Sequence, residues 1–413
     1  MKSDIDRHMQ ERNLDGLWIT GSSGGNPALD YFTGTAHLSE VNIIKKRGEA
    51  PVLYHNSLER DEAATTGLKT SLVTQSQVIE SLQEAGGDEF DAIAYRLHKA
   101  METQGVSGRI AAYGHWEVGR MLQVVRKLEA LMPDSQFVSD SGPNGALRQA
   151  QLTKDNDEIA RIRQIGQITI EVIDAIAKYL QSRPVVDEVL QDEEGQPLRV
   201  GKIKDMIHLM LAERGAEAPT GPIFAPGREG AIGHSVGRTD QVIKLGVPIV
   251  FDLYPRHRDG GYYFDFTRTW CLGYAPPEVS ELYDDVLQVY RQNFASMQAG
   301  AIPLDIQVAS CRLFEQQGHP TIMSDPDTQS GYFHALAHGL GLALHEAPIF
   351  RHYDNPANIP LEPGMVITYE PGLYYPEQNM GVRLEDPFLI QPEGPPQLLL
   401  EYPLDLVLPM RNS

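Results

Sequence analysis

The stretch VPIVFDLYPRHRDGGYYFDFTRTW, residues 247–270, decides how the second half of this chain is expected to fold. Two β-rich runs flank Arg258–Gly261, which is a strong hairpin signal. With a four-residue loop at that point, Asp252 faces Thr267 across the ladder, and Asp265 lies diagonally on the same face. One reasonable turn therefore aims two carboxylates into the same space, within reach of a shared cation.

A second hairpin is expected in MVITYEPGLYYPEQNMGVRLEDPFLI, residues 365–390, around the loop Pro376–Asn379. This loop makes Glu370 and Glu385 face each other, with Arg383 two residues away on the same face. Like charges directly opposite destabilise a sheet, so two acidic pairs in apolar strands indicate that a positive group lies between them. The plainer alternative is that both pairs are solvated charges at hairpin ends, and their joint occurrence disfavours it.

The run HALAHGLGLALHEAP, residues 334–348, carries three histidines in otherwise apolar sequence. Gly339 and Gly341 disfavour a helix interior, so we expect an extended run with close backbone approach at the glycines. Taken singly, each histidine is more often a hydrogen-bonded structural residue than a metal ligand. Four acidic residues and one imidazole together make a hard, oxygen-rich site, which suits two divalent ions of Mn, Co, Fe or Zn.

Composition limits the classes of partner. The 413 residues carry a formal charge of −21, which disfavours nucleic acid and anionic membranes as partners. Cys271 and Cys311 are the two cysteines, so we expect no disulfide framework and a reducing compartment. The N-terminal stretch lacks an apolar signal region and no run is long enough to span a membrane, so the expected setting is cytoplasmic.

The chain changes character near residue 152, where we expect a domain boundary. Residues 1–152 alternate strand-like stretches, such as LDGLWIT, APVLYH and IAAYG, with helical ones, which predicts a smaller α/β domain. Residues 153–413 begin with two long helical patterns, and glycine- and proline-punctuated strands follow. The second domain is therefore predicted to be α+β.

Four motifs together resemble the pita-bread metallopeptidases, the family of aminopeptidase P, prolidase, methionine aminopeptidase and creatinase. DLY…YFDFTRT resembles the two-aspartate hairpin of that family, AHGLGLALHE its GHGxG…HE segment, TYEPGLY its EPG motif and GVRLED its RxED motif. GREGAIGHS resembles the loop with an upstream substrate histidine, and NPALDYFTGTA weakly matches the N-terminal domain of aminopeptidase P and prolidase. The resemblance implies an α+β fold, with a C-terminal pita-bread catalytic domain preceded by a smaller α/β creatinase-type domain.

The resemblance also implies roles for single residues. It implies a set of five metal ligands: Asp252, Asp265, His338, Glu370 and Glu385. It implies that Glu370 is also the general base, that His345 steadies the tetrahedral oxyanion, and that His234 contacts the scissile amide nitrogen. Because all five ligand types are intact, a non-catalytic binding protein of this fold is disfavoured.

Further residues are implied to lie around the substrate. His334 resembles a pocket residue, and Arg383 resembles a group that orients a carboxylate ligand through a charge-assisted hydrogen bond. The DxG of the family becomes Asp252-Leu253-Tyr254 here, so we expect Tyr254 to reshape the pocket.

The activity implied first is that of a metallo-aminopeptidase that cleaves the bond between an N-terminal residue and proline, by attack of a hydroxide bridging two metal ions, with Mn expected first. The alternatives are an Xaa-Pro dipeptidase (prolidase) and a hydrolase of a non-peptide amide on the same metals.

Some prolidases carry an arginine shortly after the HExP segment. Here Ile349 stands near that place and Arg351 is displaced, which favours the aminopeptidase, although Arg351, Arg256 or Arg258 remain available. The implied partners are a small peptide with proline at its second position and a second copy of the chain in a homodimer.

Overall fold

The computed structural model describes residues 4–258, 260–355 and 358–411. Asp259, in the first predicted hairpin turn, therefore lies outside the described residues. The chain divides into two compact units, one reaching to Gln151 and including Gly260 and Gly261, the other containing the remaining residues from Leu152 onward. Across the described ranges, no helix has the length and apolar content needed to cross a membrane.

The first unit is an α/β layer around a six-stranded sheet of order β4-β3-β2-β1-β5-β6, in which β2 alone runs antiparallel to its neighbours. Its strands are β1 Gly16–Gly21, β2 Val41–Lys46, β3 Val52–His55, β4 Lys69–Leu72, β5 Arg109–Gly114 and β6 Gln136–Ser139. Its helices are α1 Ile5–Glu11, α2 Pro27–Thr33, α3 Arg60–Thr65, α4 Gln75–Glu84, α5 Glu89–Gln104 and α6 Val118–Leu131, and α7 Ala146–Leu152 extends one residue past the boundary of this unit at Gln151. The strands predicted in LDGLWIT, APVLYH and IAAYG are confirmed.

The second unit begins with the two predicted helices. Its helices are α8 Asn156–Gln181, α9 Val200–Glu213, α10 Pro277–Phe294 and α11 Pro303–Gln316. The first turn of α8 is closed by a capping box, in which the Asp155 side chain accepts from the Glu158 backbone and the Glu158 side chain accepts from the Asp155 backbone. Because this satisfies two amide groups that the helix leaves unpaired, the acidic stretch begins α8 as expected.

Two larger sheets complete this unit, with strand orders β10-β11-β13-β21 and β15-β14-β16-β19-β20. The first seven of its strands are β7 Val185–Val186, β8 Val189–Leu190, β9 Ala216–Glu217, β10 Ile223–Pro226, β11 Ile249–Leu253, β12 Arg256–His257 and β13 Phe266–Leu272. The rest are β14 Ala337–Gly339, β15 Glu346–Ile349, β16 Val366–Tyr369, β17 Gly372–Tyr375, β18 Met380–Arg383, β19 Asp386–Leu389, β20 Gln397–Leu398 and β21 Val407–Leu408. Short 3-10 helices span Ser57–Glu59, Glu229–Ala231 and Pro376–Gln378.

Both predicted hairpin registers are confirmed. In the first hairpin, β11 pairs with β13 so that Asp252 lies opposite Thr267. In the second, β17 pairs with β18 and β16 with β19 in one continuous register, and Glu370 and Glu385 lie between the two ladders. Pro371 stands at the break, where its missing N–H cannot contribute to a ladder. Both pairs of carboxylates therefore lie where the loop lengths place them.

The histidine-rich run forms a short hairpin rather than one extended strand. Strands β14 and β15 pair antiparallel, and the register shifts between His338 and Gly339. A Cβ atom at Gly339 would lie only 2.2 Å from the carbonyl oxygen of Ala347, so the two backbones can approach only because this residue is glycine. The close approach expected at this glycine is confirmed.

A buried ion pair joins the two larger sheets behind the predicted site. Arg268 Nη2 donates to Asp386 Oδ1 at 2.8 Å, and the Tyr290 hydroxyl donates to Asp386 Oδ2 at 2.7 Å. Arg268 Nη1 also donates to the backbone oxygens of Thr267 and Glu385, at 2.9 and 3.0 Å. Because both charges are paired and hydrogen-bonded, their burial is tolerated, and the guanidinium ties β13 to the segment that carries Glu385.

Candidate active site

One cavity of about 830 Å³ in the second unit is lined by all eleven side chains predicted from the sequence. These are Asp252, Asp265, His338, Glu370, Glu385, His345, His234, His334, Tyr254, Arg383 and Arg351. Apolar side chains complete the wall, namely Ile223, Phe333, Leu344 and Ile349. Concave sites with an apolar wall and a few convergent polar groups are typical of small-ligand binding.

The first hairpin contributes two buried aspartates. Asp252 lies on β11 and Asp265 directly precedes β13. Asp252 Oδ2 accepts a hydrogen bond from Arg383 Nη2 at 2.6 Å. The Oδ1 atoms of Asp252 and Asp265 are buried without a hydrogen-bond partner among the described residues. A buried carboxylate oxygen without a partner is costly, so both atoms fit a site that binds a cation.

The second hairpin contributes Glu370 and Glu385. The Glu385 carboxylate accepts from the Thr267 hydroxyl at 2.7 Å, and the backbones of these two residues exchange hydrogen bonds at 3.3 and 3.1 Å. The backbone N–H of Glu370 donates to Leu336 O at 2.9 Å, beside the start of β14. The hairpins and the histidine-rich strand are thus held together by backbone contacts next to the carboxylates.

His338 is held as a neutral imidazole facing the carboxylates. Its Nδ1 lies 3.0 Å from the backbone oxygen of Gly339, which assigns the ring proton to Nδ1. The other nitrogen, Nε2, lies 3.6 Å from Asp265 Oδ2 and 3.7 Å from Glu370 Oε1. Burial, with a smaller effect of His345, lowers the pKa of His338 to about 3. The lone pair of Nε2 is therefore free for a metal ion, and the backbone contact orients the ring.

The acidic groups of the site are electrostatically frustrated without a cation. Burial, reinforced by the neighbouring carboxylates, raises the pKa of Asp265 and of Glu385 well above the ordinary range. Burial raises the pKa of Glu370 to about 8. Asp265, His338 and Glu385 offer ligand atoms that all lie within 4.8 Å of one another. Crowded carboxylates, two orphaned oxygens and a neutral imidazole together fit divalent metal ions.

Tyr374 belongs to this site and was missed from the sequence. Arg383 Nη1 donates to its oxygen at 3.1 Å, and the hydroxyl lies 3.0 Å from His334 Nε2. His334 Nδ1 lies 2.7 Å from the Ala335 carbonyl oxygen, and burial lowers the pKa of His334 to about 3, so the neutral Nε2 accepts a hydrogen bond from the tyrosine hydroxyl. Tyr374 lies four residues after Glu370. Because side chains two or four residues apart in an extended chain point to the same face, this spacing could have predicted that Tyr374 lies beside Glu370.

The remaining predicted residues lie around the rim. The ring centroids of His345 and His338 are 4.5 Å apart, and burial lowers the pKa of His345. Burial and the charge of Asp252 raise the pKa of Tyr254 to about 12, so this phenol is neutral at ordinary pH. Arg351 lines the cavity with an exposed side chain.

The other two arginines considered as readers of a substrate carboxylate do not line the cavity. Arg256 donates to Glu217 Oε1 at 3.0 and 2.9 Å, and Arg258 donates to the Ala212 carbonyl oxygen at 2.9 Å. Of the three candidates, Arg351 is therefore the one whose side chain reaches the site.

Comparison with known proteins agrees with this architecture. The model of metallopeptidase family M24 matches residues 160–392. The Xaa-Pro dipeptidase of Pyrococcus furiosus is 25% identical over 394 residues, covering 95% of each chain. The Xaa-Pro dipeptidase of Pyrococcus horikoshii is 26% identical over 393 residues, covering 94% of each chain.

Solved structures show the same fold over nearly the whole chain. The prolidase of Pyrococcus horikoshii superposes with a TM-score of 0.73 at 22% identity, covering 98% of each chain. The X-Pro aminopeptidase of Thermotoga maritima gives a TM-score of 0.72 at 22% identity, covering 97% of this chain and 99% of the other. The expected pita-bread fold is confirmed. The chain belongs to metallopeptidase family M24 and is a hydrolase of the metallopeptidase class.

Proposed function

We propose that the chain is an Xaa-Pro dipeptidase, which hydrolyses the bond between an N-terminal residue and a C-terminal proline. The observation that carries this proposal is the convergence of three buried carboxylates, the partly exposed carboxylate of Glu370 and a neutral imidazole on one peptide-sized cavity. Similarity to two Xaa-Pro dipeptidases along about 95% of the chain supports this activity over the aminopeptidase expected from the sequence. We place the catalytic domain at residues 153–413 and a non-catalytic domain at residues 1–152.

The residues that would hold two divalent ions are Asp252, Asp265, His338, Glu370 and Glu385. This oxygen-rich set suits Mn²⁺, and Co²⁺, Zn²⁺ and Fe²⁺ are the alternatives. When bound, the ions supply a Lewis acid for the substrate carbonyl and lower the pKa of water. Glu370 takes up the proton of the attacking water on a carboxylate oxygen, which its position beside His338 allows. His234 is proposed to contact the amide nitrogen that leaves.

His345 is proposed to donate a hydrogen bond to the oxyanion that develops on the substrate carbonyl. Its lowered pKa keeps it neutral, so it donates without adding a cation beside the metals. Replacing His345 by Ala should lower kcat by about 10²–10³-fold with little change in KM. Steady-state kinetics on Ala-Pro measure this, with His208→Ala, an exposed histidine of α9, as the control. A rise in KM alone would assign His345 to substrate binding instead.

Arg351 is proposed to bind the free carboxylate of the C-terminal proline. Arg383, the other cavity arginine, is already engaged by Asp252 and Tyr374, whereas Arg351 makes no ion pair within the described part of the chain. Replacing Arg351 by Leu should raise KM for Ala-Pro by about 10–100-fold. This factor corresponds to the free energy that one hydrogen bond to a charged group contributes to binding. The C-terminal amide of Ala-Pro should be cleaved equally by both proteins, and Arg258→Leu serves as the matched control.

The proposed activity is tested with the Mn²⁺-loaded wild-type protein on Ala-Pro, Ala-Pro-Ala and Ala-Ala. A dipeptidase of the proposed kind cleaves Ala-Pro with the highest kcat/KM, by about 10-fold or more over Ala-Pro-Ala. Preference for the tripeptide would establish the second candidate, an Xaa-Pro aminopeptidase, which the similarity to the Thermotoga maritima structure supports. Cleavage of none of the three, with Mn²⁺ or Co²⁺ present, would refute both activities.

A further inference from the structure

A buried ion pair lies behind the turn that carries His345. Lys154 Nζ donates to Glu346 Oε2 at 2.7 Å, and the two side chains are only 2% and 4% exposed. Glu346 directly follows His345 and begins β15, while Lys154 lies just before α8. Neither side chain lines the catalytic cavity. The roles proposed above for the cavity residues therefore do not explain why this ion pair is present.

The Glu346 carboxylate fills the inside of the turn between β14 and β15. Its Oε1 atom accepts from the backbone N–H of Ala343 at 3.0 Å. A Cβ atom at Gly341 would lie 2.5 to 2.7 Å from the atoms of this carboxylate, so only glycine leaves room for it. The backbone of the residues before His345 therefore packs around the Glu346 side chain.

Lys154 both neutralises that carboxylate and links it to the backbone that precedes β16. The Lys154 backbone N–H donates to Gly364 O at 2.7 Å, and Thr153 forms an antiparallel bridge with Met365. Met365 immediately precedes β16, the strand that leads to Glu370. An unpaired buried carboxylate is strongly disfavoured. The turn around Glu346 therefore keeps its shape only while the Lys154 ammonium group stays beside the carboxylate.

We infer that Lys154 and Glu346 are positioning residues, which set the imidazole of His345 relative to Glu370 without touching the substrate. The inference rests on the proposed function, since it assigns the pair an effect on the oxyanion donor. Displacing a catalytic group by about 1 Å can cost about 10²-fold in rate, so the pair is expected to affect kcat rather than KM.

The test is a double-mutant cycle on the Mn²⁺-loaded full chain. The variant Lys154→Met/Glu346→Gln removes both charges while matching side-chain size, and the introduced amide oxygen can still accept from the Ala343 backbone. We expect it to lower kcat for Ala-Pro by about 10–100-fold, with KM and the Mn²⁺ content unchanged. In the His345→Ala background, the same pair of changes should alter kcat by less than about two-fold. An equal loss in both backgrounds, or no loss in the wild-type background, would overturn the inference.

Two further measurements keep the test decisive. If the neutral pair fails to unfold cooperatively, Glu346→Asp, which keeps the charge but withdraws the carboxylate, enters the same cycle with the same expected coupling. If the wild type cleaves no Xaa-Pro peptide, the proposed function fails by itself. The reactivity of His345 toward diethyl pyrocarbonate, followed by mass spectrometry, then reports on the turn. It should change by about three-fold or more in the neutral-pair variant as the surroundings of the imidazole change, and unchanged reactivity would refute the positioning role.

Discussion

Replacing Glu370 by Gln should lower kcat on Ala-Pro by at least about 10³-fold, because the amide cannot take up the proton of the attacking water as we propose for the carboxylate. The carboxylate is suited to this task by its surroundings. Its Oε1 lies 3.7 Å from His338 Nε2, its Oε2 lies 3.9 Å from His334 Nδ1, and burial raises the pKa of the group to about 8. The substitution keeps the size of the side chain and removes a buried charge, so we expect cooperative unfolding to persist.

The matched control for this substitution is Glu377→Gln. Glu377 lies in the Pro376–Gln378 turn of the same hairpin, and its side chain is 92% exposed. The control should keep wild-type kinetics. Wild-type kcat in Glu370→Gln, with metal content measured alongside, would remove the proposed base role.

Chelation of the divalent ions should abolish activity and leave a protein whose stability falls as the pH rises from 6.5 to 8.5. The metal-free carboxyl of Glu370 has a pKa of about 8, raised from 4.5, so the folded state binds its proton more tightly than the unfolded state does. A raised carboxyl pKa favours the folded state at low pH, and this contribution is lost as the pH rises toward 8. Between pH 6.5 and 8 the loss is about 2 kcal/mol for this group. Asp265 and Glu385 shift in the same direction.

Histidine titration opposes this fall only weakly within the pH window. Burial lowers the pKa of His338 and His334 to about 3, so these rings are neutral in the folded state, whereas in the unfolded state they are about half protonated at pH 6.5 and largely neutral by pH 7.5. Their titration therefore adds only about 0.4 kcal/mol of stability per ring between pH 6.5 and 7.5, which is less than the loss from the carboxyl groups. Thermal melts at pH 6.5, 7.5 and 8.5 should show a falling Tm for the chelated protein, a shallower fall for chelated Glu370→Gln, and little pH dependence with saturating Mn²⁺. A chelated protein with a constant or rising Tm, or no Tm gain from Mn²⁺, would contradict a cation-dependent carboxylate cluster.

Loop length and side-chain alternation were sufficient to predict which carboxylates meet. The register that places Asp252 opposite Thr267 follows from the turn in the first hairpin, and the register of Glu370 and Glu385 follows from the second. These are local rules, since a strand alternates its side chains with a period of two and a one-residue slip would turn every side chain over. The histidines of residues 334–348 stood out as polar groups in apolar sequence, but their roles, together with those of His234, Tyr254 and Arg351, were reached through the family resemblance, and these residues line the same cavity.

Loop length and side-chain alternation could not predict contacts between segments that are distant in the sequence. The ion pair of Lys154 and Glu346 joins residues 192 positions apart, and that of Arg268 and Asp386 joins residues 118 apart. Neither pair has a periodic signal, because each depends on how whole elements pack. The proposed preference for dipeptides rests on one cation, Arg351, at the cavity wall. Ile349 at the place where some prolidases carry arginine pointed away from a dipeptidase, whereas the fold brings Arg351 to the cavity wall.

The most direct test of the account is an anomalous difference map from crystals grown with Mn²⁺ and measured at the manganese edge. We expect two peaks inside the cavity, bound by the set Asp252, Asp265, His338, Glu370 and Glu385, with occupancies that fall on soaking in chelator. A map with no peak there, or with peaks bound by other side chains, would contradict the claim that these five groups form the metal centre.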